Sequence, residues 1–131
     1  MASGQRGVLL DTSILIDLLH QRTKPAGLIR ELIMRGAVLA TSSINIAEVY
    51  AGMRKGEEAA TAELISGLEC LPLSLEIARK AGTIVAARRN MGRTHSLDDM
   101  MIAATAIEYG YTLLTDNRKD FEIPEIDLFP A

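Results

Sequence analysis

Four short apolar runs punctuate the chain, at Val8–Leu10, Ala37–Thr41, Leu68–Leu71 and Tyr111–Leu114. Longer stretches with apolar residues at helical spacing separate them. Strands that are apolar on both faces belong to sheets covered on both sides, and helical crossovers pair such strands in parallel. The alternation therefore predicts an α/β chain, a single-domain α/β/α sandwich with a four- to five-stranded parallel sheet, extending over residues 1–131. The fifth strand is expected at Ile126 to Phe129. Helices are expected after Thr12 or Ser13, beyond Thr23-Lys24-Pro25, after Ser42 or Ser43, over Glu57–Ser66, from Ser74 to about Arg89, and from Ser96 to Tyr109.

The first strand ends abruptly, in "GVLLDTSILIDLL", on the carboxylate of Asp11. Ligands of open parallel sheets bind at the carboxyl ends of the strands, where the following helices begin. Asp11 and Asp116 each end a predicted strand, Glu48 lies in the second turn of the third helix, and Asp99 lies in the first turn of the last. Four carboxylates at one edge raise one another's pKa, and a hard divalent cation relieves that repulsion. Each acid also has a plainer role available. Asp11 suits a helix N-cap, Asp99 a capping box with Ser96, Glu48 a solvated helix face and Asp116 an Asx turn. Asp17 and Asp98 are weaker candidates for the site.

The chain carries 48% hydrophobic and 24% charged residues, a globular balance, with a net charge of −3. That charge is unlike the basic balance usual in nucleic-acid binders, but Arg88, Arg89, Arg93 and His95 gather just before the Asp99 helix, and Arg118 and Lys119 follow Asp116. The only cysteine, Cys70, excludes an internal disulfide and reads as a buried strand thiol. With no secretory-type apolar stretch over Met1–Arg6 and no run long enough to span a bilayer, a cytoplasmic setting is expected. No G-x-G-x-x-G follows the first strand, which argues against a dinucleotide binder. Ser13 stands where an aspartate-based phosphotransferase would need its second Asp.

Four blocks, "LLDTSILIDLL", "SSINIAEVYAG", "SLDDMMIAATAIEYGYTLLT" and "TDNRKDF", run from Leu9 to Phe121. In this order and spacing they resemble PIN-domain ribonucleases, above all the VapC toxins of toxin–antitoxin pairs. The resemblance implies an endoribonuclease dependent on Mg²⁺ or Mn²⁺. Asp11 and Asp99 would hold the metal, with Glu48 and Asp116 acting directly or through water. Asn117 and Asp120 compete with Asp116 for the fourth position. Thr12, Ser13, Thr115 and Asn117 would orient these groups, and Arg88, Arg89, Arg93, Arg118 and Lys119 would contact RNA. A small VapB-like antitoxin is implied as partner, seated near Ile44–Met53 and Glu57–Leu68. A homodimer is expected from apolar positions such as Leu28, Ile29, Leu32, Ile84 and Val85. The alternative is a PIN-fold module that binds nucleic acid or protein without catalysis.

Overall fold

In a computed structural model that describes residues 7–129, four parallel strands form one sheet. The strands are β1 (Gly7–Leu10), β2 (Val38–Ser42), β3 (Glu69–Leu71) and β4 (Thr112–Leu114), in the spatial order β3-β2-β1-β4. Residues 1–6 and 130–131, which include the polar lead and the outer ends of the expected domain, lie outside the described residues. Val8 faces Leu39 on one side and Thr112 on the other. The first and last strands in sequence are therefore neighbours, with β1 inside the sheet and β4 at its edge.

Alternation along each strand builds two cores. Leu9, Ala40, Leu71 and Leu113 point to one face, against α5 (Leu75–Asn90) and α6 (Leu97–Tyr109). Val8, Leu10 and Leu114 point to the other, with α1 (Thr12–Leu19), α2 (Thr23–Met34), α3 (Ser43–Ala51) and α4 (Glu58–Ser66) on that side. Small residues let α6 lie close to the sheet: Ala103, Ala104 and Ala106 are fully buried. Gly110, in the left-handed conformation, ends that helix where a side chain would be strained. Gly7 has a different task. A Cβ there would overlap the ring of Tyr111, whose hydroxyl donates to the Glu69 carboxylate.

Three expectations need correction. The segment Ile126–Phe129 does not form a fifth strand; it makes a single parallel bridge, Leu128 to Leu113, flanked by backbone hydrogen bonds from Leu113 to Asp127 and from Phe129 to Leu113. Cys70 is exposed, because β3 lies at the edge of the sheet and has no strand beyond it. The apolar residues expected to be surplus are used internally. Leu32 and Ile84 are buried, and Leu28, Ile29 and Val85 pack against the two cores. The exposed large apolar side chains lie elsewhere, including Ile33 and Met34 at the end of α2, and Leu75 and Leu97 at the starts of α5 and α6.

Candidate active site

Asp11 follows β1 and is the N-cap residue of α1, yet its side chain makes no capping hydrogen bond. The carboxylate is instead held from two other segments. Asn45 Nδ2 donates to Oδ1 at 3.0 Å and Thr115 Oγ1 donates to Oδ2 at 2.6 Å. Asp11 is buried, and burial raises its pKa against the lowering effect of Thr115, the Thr12 backbone and Asn45. Each oxygen keeps a lone pair for a further partner.

Asn45 was not foreseen as a site residue. It is fully buried at the third position of α3, whose N-cap is Ser42. Its Oδ1 accepts from Ser42 Oγ at 2.6 Å and from the Ser42 amide at 3.3 Å. Its Nδ2 donates to Asp11 and, at 2.9 Å, to Thr12 Oγ1. The Thr12 hydroxyl then donates to Glu48 Oε1 at 2.5 Å. The signal was present in the spacing: Ser42, Asn45 and Glu48 recur every three residues on one helical face. Ser13 makes no contact with these carboxylates in the hydrogen-bond network. Its Oγ accepts the amide of Asp116 at 3.2 Å.

Asp11, Glu48 and Asp99 line one cavity of about 480 Å³, together with Thr12, Ser13, Ile16, Ala51 and Asn117. Asp99 lies in the first turn of α6, its amide donating to Ser96 Oγ at 3.3 Å. Burial raises its pKa, and the nearby Asp98, Asp120 and Asp11 add to the rise. Glu48 is pushed up to about 7, by burial and then by a hydrogen bond with Asp98. The same interaction lowers Asp98. Asp98, given no role from sequence, thus touches the site through Glu48.

At the fourth position the two neighbouring candidates separate. Asp116 does not line this cavity. It borders a neighbouring one with Asp17, Lys24 and Leu28, where burial and the Asp17 carboxyl raise its pKa. The next residue, Asn117, reaches the acidic cavity. Its amide donates to Thr115 Oγ1 at 2.9 Å, the same hydroxyl that holds Asp11. Asp120 acts at longer range and raises both Asp11 and Asp99.

Among the described residues, no three His, Cys, Asp or Glu side chains are already gathered as a metal-ligand set. The acids stand around the cavity rather than closing on one point. Their chemistry nonetheless fits a hard cation. The donors are carboxylate and amide oxygens, thiol and imidazole are absent from the lining, and burial leaves the carboxylates short of positive charge.

Of the basic residues expected at RNA, Arg89, Arg93, Arg118 and Lys119 are exposed. Arg118 Nη1 also donates to the Phe129 carbonyl at 2.5 Å. Arg88 is a correction: it is buried, with its guanidinium bonded to His95 rather than open to solvent.

The PIN-domain family profile matches residues 8–125. The chain belongs to the PIN-domain family. Within it, the chain is 36% identical to ribonuclease VapC19 of Mycobacterium tuberculosis over 115 residues, 86% of this chain and 90% of that protein. It is 32% identical to ribonuclease VapC of Rickettsia bellii, over 93% of this chain and 94% of that one. Among solved structures, VapBC2 of Rickettsia felis bound to a promoter DNA fragment superposes with a TM-score of 0.81 at 26% identity, covering 94% of this chain and 97% of that one. DNA-bound VapBC of Salmonella typhimurium gives 0.82 at 27%, covering 95% and 98%. The PIN domain seen here thus carries the buried Asp11 and the half-buried Glu48 and Asp99 around one cavity, and among the described residues no helix is long and apolar enough to cross a membrane.

Proposed function

We propose that this PIN-domain chain is an endoribonuclease, the toxin of a VapBC-type pair, that hydrolyses RNA phosphodiesters with Mg²⁺ or Mn²⁺. The observation that carries the reading is the Asp11 carboxylate. It is buried at a strand end, free of any capping role, fixed by Asn45 and Thr115, and open to a cavity shared with Glu48 and Asp99. A cap or a solvated acid has no need of that scaffold.

Asp11 and Asp99 would hold the cation, with Asn117 and Glu48 beside it. When bound, the metal supplies an activated water and a clamp on a phosphate oxygen. Glu48, pushed up to about 7, is suited to accept a proton at neutral pH, with the Asp98 carboxylate beside it. Arg89, Arg93, Arg118 and Lys119 supply phosphate contacts, which position RNA without reading bases.

The relatives solved as VapBC complexes support a VapB-like antitoxin as partner. A homodimer is part of the same reading, with Ile33, Met34, Leu75 and Leu97 as the apolar side chains left to cover. Such an interface needs to bury about 1,200 Å² or more in total. The protein acts in the cytoplasm, where its exposed Cys70 stays reduced.

The test is RNA cleavage by the purified chain with Mn²⁺ and with a chelator, alongside Asp99→Asn. Cleavage that needs metal and vanishes in the variant is expected. A folded, metal-loaded wild type that leaves RNA intact would leave only the non-catalytic module.

A further inference from the structure

Arg88, in the last turn of α5, is only 7% exposed. Among the described residues it belongs to no ion pair. Its Nε donates to His95 Nε2 at 2.9 Å and its Nη2 to the Glu122 carbonyl at 3.4 Å. Its backbone carbonyl accepts the amides of Met91 and Arg93, both at 2.9 Å. A buried guanidinium without a carboxylate is costly, and these hydrogen bonds, the one to His95 above all, offset part of that cost. The negative end of α5 adds to that offset.

Each bond ends on a segment that leads into the acidic cavity. His95 directly precedes Ser96, the N-cap of α6 whose hydroxyl holds the amide of Asp99. Glu122 directly follows the 3₁₀ turn Arg118–Phe121, which carries Asp120 and begins just after Asn117. Phe121, 1% exposed, anchors that turn in the core. One side chain therefore joins the two segments that bring Asp99 and Asn117 to the cavity. The bond to His95 also fixes a tautomer. Nε2 must offer its lone pair, so the ring is neutral with its proton on Nδ1.

We propose that Arg88 is a positioning residue for RNA cleavage, acting through His95 and the Glu122 carbonyl to set the spacing of Asp99 and Asn117. This rests on the nuclease reading above. Arg88 touches neither metal nor RNA. Groups that orient metal-binding side chains typically change metal affinity or activity about 10- to 100-fold when lost.

The test uses the full chain and three substitutions. Arg88→Lys keeps the charge and loses the fork. His95→Leu removes the acceptor. His95→Gln keeps an acceptor oxygen. Arg88→Lys and His95→Leu should each lower kcat about tenfold, with KM for RNA little changed. The double variant should be no worse than either single one, because both break one contact. His95→Gln should lie between His95→Leu and wild type. In ¹⁵N spectra near about pH 8, wild-type His95 should be bare at Nε2, and Arg88→Lys should mix the tautomers. Wild-type rates in folded Arg88→Lys and His95→Leu would overturn the proposal, as would additive losses in the double variant. If Arg88→Lys does not fold, His95→Leu decides, since His95 is only half-buried. If the wild type itself does not cleave RNA, the nuclease reading fails separately. Mn²⁺ titration then decides the positioning role, and an affinity unchanged in both variants overturns it.

Discussion

Thr12 Oγ1 donates to Glu48 Oε1 at 2.5 Å while accepting Asn45 Nδ2 at 2.9 Å. One hydroxyl thus connects the start of α1 to two positions on α3, and Asn45 extends the connection to Asp11. Asn45→Ala breaks it at the centre. Buried hydrogen-bonded groups lose their partners on both sides, so a destabilisation of about 2 kcal/mol is expected. Cleavage should fall about tenfold or more even at temperatures where the variant is folded. Urea melts and RNA assays on the same preparation check both.

Stability of the metal-free protein should fall as pH rises. Glu48 has an ordinary pKa of 4.5 and a folded value of about 7, so between these values the folded state holds more protons than the unfolded one. Stability is lost across that window. Asp11, Asp99 and Asp116, raised above 3.8, act in the same direction from a lower starting pH. Asp98, lowered from 3.8, has the opposite sign. Its contribution is present above 3.8 and disappears as pH falls through the folded value. Denaturation midpoints across the weakly acidic to neutral range should show the decline, and Mn²⁺ should flatten it by taking the proton's place.

Asp99→Asn separates a metal ligand from a helix cap. As a ligand, its loss abolishes cleavage, and removing a charge from the acidic cavity leaves the metal-free protein at least as stable as wild type near neutral pH. As a cap, it would destabilise by up to about 1 kcal/mol and spare activity. Melts with and without Mn²⁺, read beside a cleavage assay, distinguish the two.

Asn117→Ala should reduce cleavage more than Asp116→Ala. Asn117 lines the cavity of Asp11 and Asp99, whereas Asp116 faces Asp17 in the next one. Matched initial rates on one RNA are sufficient. Equal losses would return Asp116 to the site.

Away from the site, Thr61 on α4 is fully buried and its hydroxyl has no hydrogen-bond partner among the described residues. Thr61→Val keeps the shape and removes the unpaired group. A gain of about 1 kcal/mol is expected in urea titration.

Much of this was legible because strand ends and helix starts can be read from pattern alone. Asp11, Glu48 and Asp99 were located by the element order, which puts those ends at one edge. Asn45 escaped because its spacing with Ser42 and Glu48 marks a helical face but does not name its partner Asp11, 34 positions away. Which of Asp116 and Asn117 lines the cavity depends on how one turn directs successive side chains, and spacing carries no record of that. Cys70 and Arg88 were misjudged for a common reason. Apolar neighbours suggested burial for a thiol that lies on an edge strand, and a basic cluster suggested exposure for a guanidinium folded inward. The surplus assigned to Leu28, Ile29 and Leu32 vanished because a sheet covered on both faces has two cores to fill.

Asp11 leaves the ribosome 104 residues before Thr115, which fixes its second oxygen. The Asp11 amide likewise bonds the Leu114 carbonyl, at 3.0 Å. A nascent chain that has not yet delivered β4 has an unsupported acid beside an open strand. In a chain cut short before β4, Asp11 therefore has neither the hydroxyl that holds Oδ2 nor the carbonyl that accepts its amide.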